Sequence, residues 1–72
     1  MIVDDNDQVR LGLSTLLEKV DGFSILAQAK NGRQAIDLVH VNTLDLILMD
    51  VGMPIMDGIE ACQKINQTHP SV

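Results

Sequence analysis

The sequence is short of cysteine, of basic residues and of long apolar runs, and each shortage excludes a class of function. Cys62 is the only cysteine, so neither an intramolecular disulfide nor a cysteine-rich zinc site can form, and a reducing compartment is favoured. Five Lys and Arg against ten Asp and Glu give a net charge of -5, which opposes direct binding to a phosphate backbone. The longest apolar run, Leu46 to Met49, is far short of the ~20 residues of a membrane span. Met1, Ile2 and Val3 lead straight into Asp4 and Asp5, without the basic start and apolar stretch of a signal peptide. A cytoplasmic address is the resulting expectation, and no segment reads as a linker, repeat or biased tract.

What is present alternates between strand and helix. The 72 residues suffice for one domain, with an ordinary hydrophobic share of 46% and charged share of 21%. Met1 to Val3 is apolar and ends in two carboxylates, consistent with the last residues of a buried strand whose beginning is missing. Val9, Leu13, Leu16, Leu17 and Val20 then recur at helical spacing, with Asn6 or Asp7 as N-cap and Gly22 as the stop. Phe23, Ile25, Ala27 and Ala29 alternate with polar residues, apart from Leu26, as a second strand that Asn31 and Gly32 end. Ala35, Ile36 and Val39 share one face of a second helix from about Arg33 to Val41. Leu44 to Met49 reads as a strand buried on both faces. A loop with Gly52, Pro54 and Gly58 leads to a third helix in which Ile59, Cys62 and Ile65 share a face, until Pro70 stops it.

Such alternation predicts βαβ units around a parallel sheet with helices on its faces, and ligands at the carboxyl ends of the strands where strand order reverses. If the first and third strands are neighbours, Asp4 and Asp5 face Asp50. Taken singly, each of these, like Asp7, reads equally well as a cap or turn former. Together they form an acidic cup, which must either take up a proton or hold a cation. Mg²⁺ suits carboxylate oxygens, keeps several waters and bridges to phosphate oxygens.

Asp4-Asp5 after an apolar strand, then Leu46-Ile47-Leu48-Met49-Asp50 followed by Met53-Pro54-Ile55-Met56-Asp57-Gly58, resembles the receiver domain of two-component response regulators. The resemblance covers the whole chain, including the Asn31-Gly32 turn. Val9-Arg10-Leu11-Gly12-Leu13 and Asp57-Gly58-Ile59-Glu60-Ala61 are similar to the subfamily whose receivers precede a LuxR-type helix-turn-helix output domain. It implies a flavodoxin-like (CheY-like) doubly wound α/β fold of five strands, of which this chain would hold strands and helices one to three and the start of strand four. Residues 1–72 would be a partial receiver domain, without strands four and five, helices four and five, or an output domain.

The resemblance further implies that Asp50 is the phosphoacceptor. Asp5 and Asp50 would be side-chain ligands of Mg²⁺, with Asp4 acting partly through water and the backbone carbonyl of Gly52 as the third protein ligand. Pro54 and Gly58 would shape the adjoining loop. A phosphohistidine on a sensor histidine kinase would be the donor, and an acyl phosphate the product. Gly52 departs from the family, which often has a polar side chain there that affects phosphoryl lifetime. The hydroxyl residue of strand four and the lysine of strand five, both phosphoryl contacts, would lie beyond this sequence, and Lys19, Lys30 and Lys64 do not match that lysine. An isolated chain is therefore expected to bind Mg²⁺ weakly, to respond poorly to phosphorylation and to pair through the uncovered edge of the third strand.

Two other readings compete. A phosphatase with an aspartyl nucleophile also places Asp after an apolar strand, but needs a second Asp where Gly52 stands; the expectation is that the chain is no enzyme. A truncated stub that pairs without being phosphorylated is the other. His40 and His69 read as solvated surface residues, Cys62 as a small apolar packing residue, and Phe23 as core.

Overall fold

Three short polar side chains start the three helices. In the computed structural model, which describes residues 1–53 and 55–72, Asn6 accepts hydrogen bonds from the amides of Gln8 (2.9 Å) and Val9 (3.1 Å) and opens α1, Asp7–Leu17. Asn31 accepts from Gln34 (2.9 Å) and opens α2, Gly32–Val41. Asp57 accepts from Glu60 (2.9 Å) and opens α3, Gly58–Thr68. Each satisfies an N–H that the first helical turn leaves without a partner.

The strands are β1 (Ile2–Val3), β2 (Gln28–Ala29) and β3 (Leu48–Met49), all parallel, in the order β2-β1-β3. Ile2 pairs with Gln28 and Leu48, and Val3 with Ala29 and Met49. The chain thus has the parallel sheet expected from its alternating pattern, in the partial flavodoxin-like order that the resemblance implies. Its second and third strands are shorter than their apolar runs. The final residues form a turn, and Val72 packs half-buried against the core where the sequence places the start of a fourth strand; no strand forms there.

One face of the sheet carries the core. Met1, Val3 and Ala29 pack with Ala35 and Val39 of α2 and Ile65 of α3, closed by Leu44 and Met53. The opposite face is only partly covered. Ile2 is buried at 2% exposure under α1, but its neighbours Leu48 (38%) and Leu46 (50%) remain open. The third strand is therefore not buried on both faces, because α1 packs over β1 and no described helix continues over β3. Phe23 is likewise 47% exposed rather than core. It lies on the rim of an apolar cleft of about 290 Å³ with Leu26, Leu46 and Leu48.

Two helices also differ from their apolar spacing. α1 ends at Leu17 because the next amides turn tighter, Lys19 N–H donating to Leu16 and Val20 N–H to Leu17, three residues back. Val20 falls outside it, and Gly22 (φ 89°) completes the turn. On α3 the buried side chains are Ala61 and Ile65, whereas Ile59 and Cys62 face solvent. The tight approach of α2 selects this face: a Cβ on Gly32 would lie 2.9 Å from the Ala61 Cβ, so only small side chains fit at the crossing.

Candidate functional site

The site lies at the carboxyl ends of β1 and β3. The Asp4 amide donates to Ala29 (3.1 Å) and the Asp50 amide to Val3 (2.9 Å), so the last ladder bonds fix where both strands release their carboxylates. Carboxylate oxygens of Asp4, Asp5 and Asp50 all lie within 4.8 Å of one another. Asp5 is exposed, and Asp4 and Asp50 are half-buried. The three residues singled out by the sequence are thus brought together. The cup is open to solvent, with two carboxylates already bonded to nearby amides: Asp4 accepts from the Asn6 amide (2.9 Å) in a tight local turn, and Asp50 accepts from the Gly52 amide.

No cationic side chain neutralises the cup among the described residues. Arg10 is the nearest candidate, but its guanidinium donates to the backbone carbonyl of Asp4 (2.6 Å) and pairs with the carboxylate of Asp7. Arg10 is buried, and it ties the first turn of α1 to the end of β1. Its hydrogen bond holds the Asp7 carboxyl below the usual carboxylate range, helped by the charges of Arg10 and Lys30. Composition alone did not single out this strap; the available signal was the i,i+3 spacing of Asp7 and Arg10 just after the strand-end carboxylates.

The loop after Asp50 is held by backbone. The Gly58 amide donates to Val51 (3.0 Å) and the Gly32 amide to Met56 (3.2 Å). A Cβ on Gly58 would sit 2.3 Å from the Asp50 carbonyl oxygen, so the start of α3 lies directly against the backbone of Asp50, and only glycine permits this approach. Ile55, 82% exposed, takes a left-handed φ of 71°, a costly conformation for a β-branched residue. Pro54 lies outside the described residues. The Gly52 amide is 3.4 Å from the Asp50 carboxylate, and a side chain at Gly52 would meet open space.

Three hard oxygen donors, crowded and without a paired cation, fit a small divalent ion that retains water in its remaining positions. The arrangement can also present one of these carboxylates as a nucleophile while the group holds the ion.

The family model for the response regulator receiver domain matches residues 1–72. The response regulator GacA of Pseudomonas viridiflava is 36% identical over 72 residues, covering all of this chain and 34% of the relative. The crystal structure of a LuxR-family two-component response regulator from Aurantimonas sp. SI85-9A1 superimposes with a TM-score of 0.94 at 35% identity, over 100% of this chain and 51% of that one. The response regulator domain of Thermotoga maritima CheB gives 0.93 at 30% identity, over 97% and 52%. The chain spans about a third of the curated relative's length and about half of either solved chain. No described helix is long and apolar enough to cross a membrane. The chain belongs to the response regulator receiver domain family.

Proposed function

We propose that this chain is the front part of a phosphoacceptor module: a sensor histidine kinase transfers a phosphoryl group to Asp50, and the change is passed to an output domain of the LuxR helix-turn-helix kind. The observation that carries this reading is the convergence of Asp4, Asp5 and Asp50 within 4.8 Å at the carboxyl end of a parallel sheet. An Asp50 carboxylate oxygen attacks the phosphorus of the phosphohistidine. The O–P bond forms as the P–N bond breaks, and the imidazole leaves and takes up a proton. Asp5, Asp50 and the Gly52 carbonyl would hold Mg²⁺, with Asp4 partly through water. When bound, the ion offsets charge gathered on the transferred oxygens. The backbone contact between Asp50 and Gly58 offers the route by which occupancy of Asp50 reaches α3.

A second reading is favoured by the open face of Leu46 and Leu48 and by β3 lying at the sheet's edge: a stub that pairs with another chain and is never phosphorylated. Incubation with acetyl phosphate and Mg²⁺, followed by intact mass, tests the first. The phosphoacceptor reading expects a partial, Mg²⁺-dependent gain of one phosphoryl group that disappears in Asp50→Asn. No gain, in protein shown by circular dichroism to be folded, would overturn phosphorylation of these 72 residues on their own and leave either a receiver fragment that needs further residues to be phosphorylated or the stub.

A further inference from the structure

The two histidines, read from sequence as separate surface residues, meet. His40 lies in the last turn of α2, and His69 caps α3; their ring centroids are 5.2 Å apart with planes inclined at 59°. Both line a cleft of about 290 Å³. We propose that His40 and His69 form a nitrogen-donor site for a borderline divalent cation, Zn²⁺ being the probe, at the opposite end of α3 from Asp50.

Three observations carry the assignment. The separation fits: two imidazoles sharing one tetrahedral zinc ion at about 2.1 Å have ring centres about 5 Å apart. The tautomer fits as well. Thr68 Oγ1 lies 3.2 Å from the Lys64 carbonyl and 3.4 Å from that of Ile65, to which its hydroxyl donates. It also lies 2.9 Å from His69 Nδ1. In the tautomer in which Thr68 gives its single proton to the backbone and accepts from Nδ1–H, the lone pair of His69 Nε2 is free for a metal. This is the orienting hydrogen bond that metal-bound histidines commonly show. His40 makes no side-chain hydrogen bond among the described residues, so its ring is free to turn toward the ion. Finally, α2 and α3 both end here, and the partial negative charge of two helix C-termini favours a cation.

The donor chemistry separates this site from the acidic cup. Imidazole nitrogens suit Zn²⁺, Cu²⁺ or Ni²⁺, whereas Mg²⁺ prefers oxygen. No charged side chain lines the cleft, so two protein ligands leave positions for water, and the ion is exchangeable. When bound, it clips the end of α2 to the end of α3.

The test is a Zn²⁺ titration of the full chain in excess Mg²⁺, followed by the imidazole ¹⁵N resonances. The His40 and His69 rings should respond together with one midpoint. His40→Gln should abolish the response of the His69 ring. Thr68→Val, which keeps both ligands and loses only the orienting bond, should weaken binding about tenfold, and Asp50→Asn should leave the midpoint unchanged. Separate midpoints for the two rings, or an unaltered His69 response in His40→Gln with a native amide spectrum, would overturn the proposal.

Discussion

Two glycine-to-alanine substitutions should move stability in opposite directions, and the pair tests whether the start of α3 is seated against Asp50. At Gly58 the added Cβ would lie 2.3 Å from the Asp50 carbonyl oxygen and 3.0 Å from both its carbonyl carbon and the Val51 Cα. Non-bonded heavy atoms settle near ~3.5 Å, so the overlap is on the order of 1 Å. All three atoms are backbone, held by the bonds from the Asp50 amide to Val3 (2.9 Å) and the Gly58 amide to Val51 (3.0 Å). Relief means breaking one of them or withdrawing α3 from the loop, at a cost of about 3 kcal/mol. A chain of this size has a stability of roughly 4–10 kcal/mol to lose. Gly12 is the control: it lies within α1, its Cβ would meet nothing within 4 Å, and alanine there should gain about 0.8 kcal/mol. Helix propensity alone favours alanine at both positions, so the sign at Gly58 is diagnostic. In urea unfolding followed by circular dichroism, with a slope of about 1 kcal/mol/M, Gly58→Ala should lower the midpoint by about 3 M and Gly12→Ala raise it by just under 1 M. A Gly58→Ala midpoint at or above that of the wild type would refute the seating of α3 on Asp50.

Two further outcomes are expected. The Asp7 carboxyl is lowered by Arg10, so its stabilising effect is present above the ordinary aspartate range, near pH ~4, and is lost as pH falls through the folded value. The Tm gap between wild type and Asp7→Asn should be open at neutral pH and close at the acid end of a pH series; a gap of constant width would contradict this. At the sheet edge, Leu48→Lys places charge on the open face of β3 and should suppress concentration-dependent association in sedimentation velocity; a wild type monomeric at every concentration would remove edge pairing from consideration.

How much of this was legible in the sequence depends on what each feature rests upon. Helix starts are local, and Asn6 acts within three residues of itself, so capping chemistry located the start of α1. Asn31 and Asp57 cap α2 and α3 in the same way, but in the sequence Asn31 reads as the end of a strand and Asp57 as part of a loop motif. Asp4, Asp5 and Asp50 were legible because the end of each strand is marked by an abrupt change from apolar to acidic. Burial was less so. Phe23, Leu46 and Leu48 look like core in composition but are exposed, because burial depends on what covers a face and not on the residue itself. Ile59 and Cys62 were chosen over Ala61 by hydrophobicity, whereas close approach of α2 at Gly32 favours the smallest side chain. The histidine pair depends on where two helices end relative to each other, which no spacing along the chain records.

The loop between Asp50 and α3 is anchored at both ends by main chain, and this constrains how the site could communicate. Gly58 closes it against Val51, and Gly32, the first residue of α2, holds it through the Met56 carbonyl. A Cβ on Gly32 would come within 2.7 Å of that carbonyl, so this contact too requires glycine. Asp50 therefore touches α3, and its loop touches α2, through backbone atoms with no side chain between them. A side-chain relay can absorb a small displacement by changing rotamer; backbone packed against backbone cannot. A group added to Asp50 that moved its main chain would have to move the first turn of α3 as well. The left-handed Ile55 (φ 71°), between these two anchors, is where the loop already departs from a relaxed conformation. It is the position at which a second loop arrangement could be reached with least loss, since leaving that conformation relieves strain.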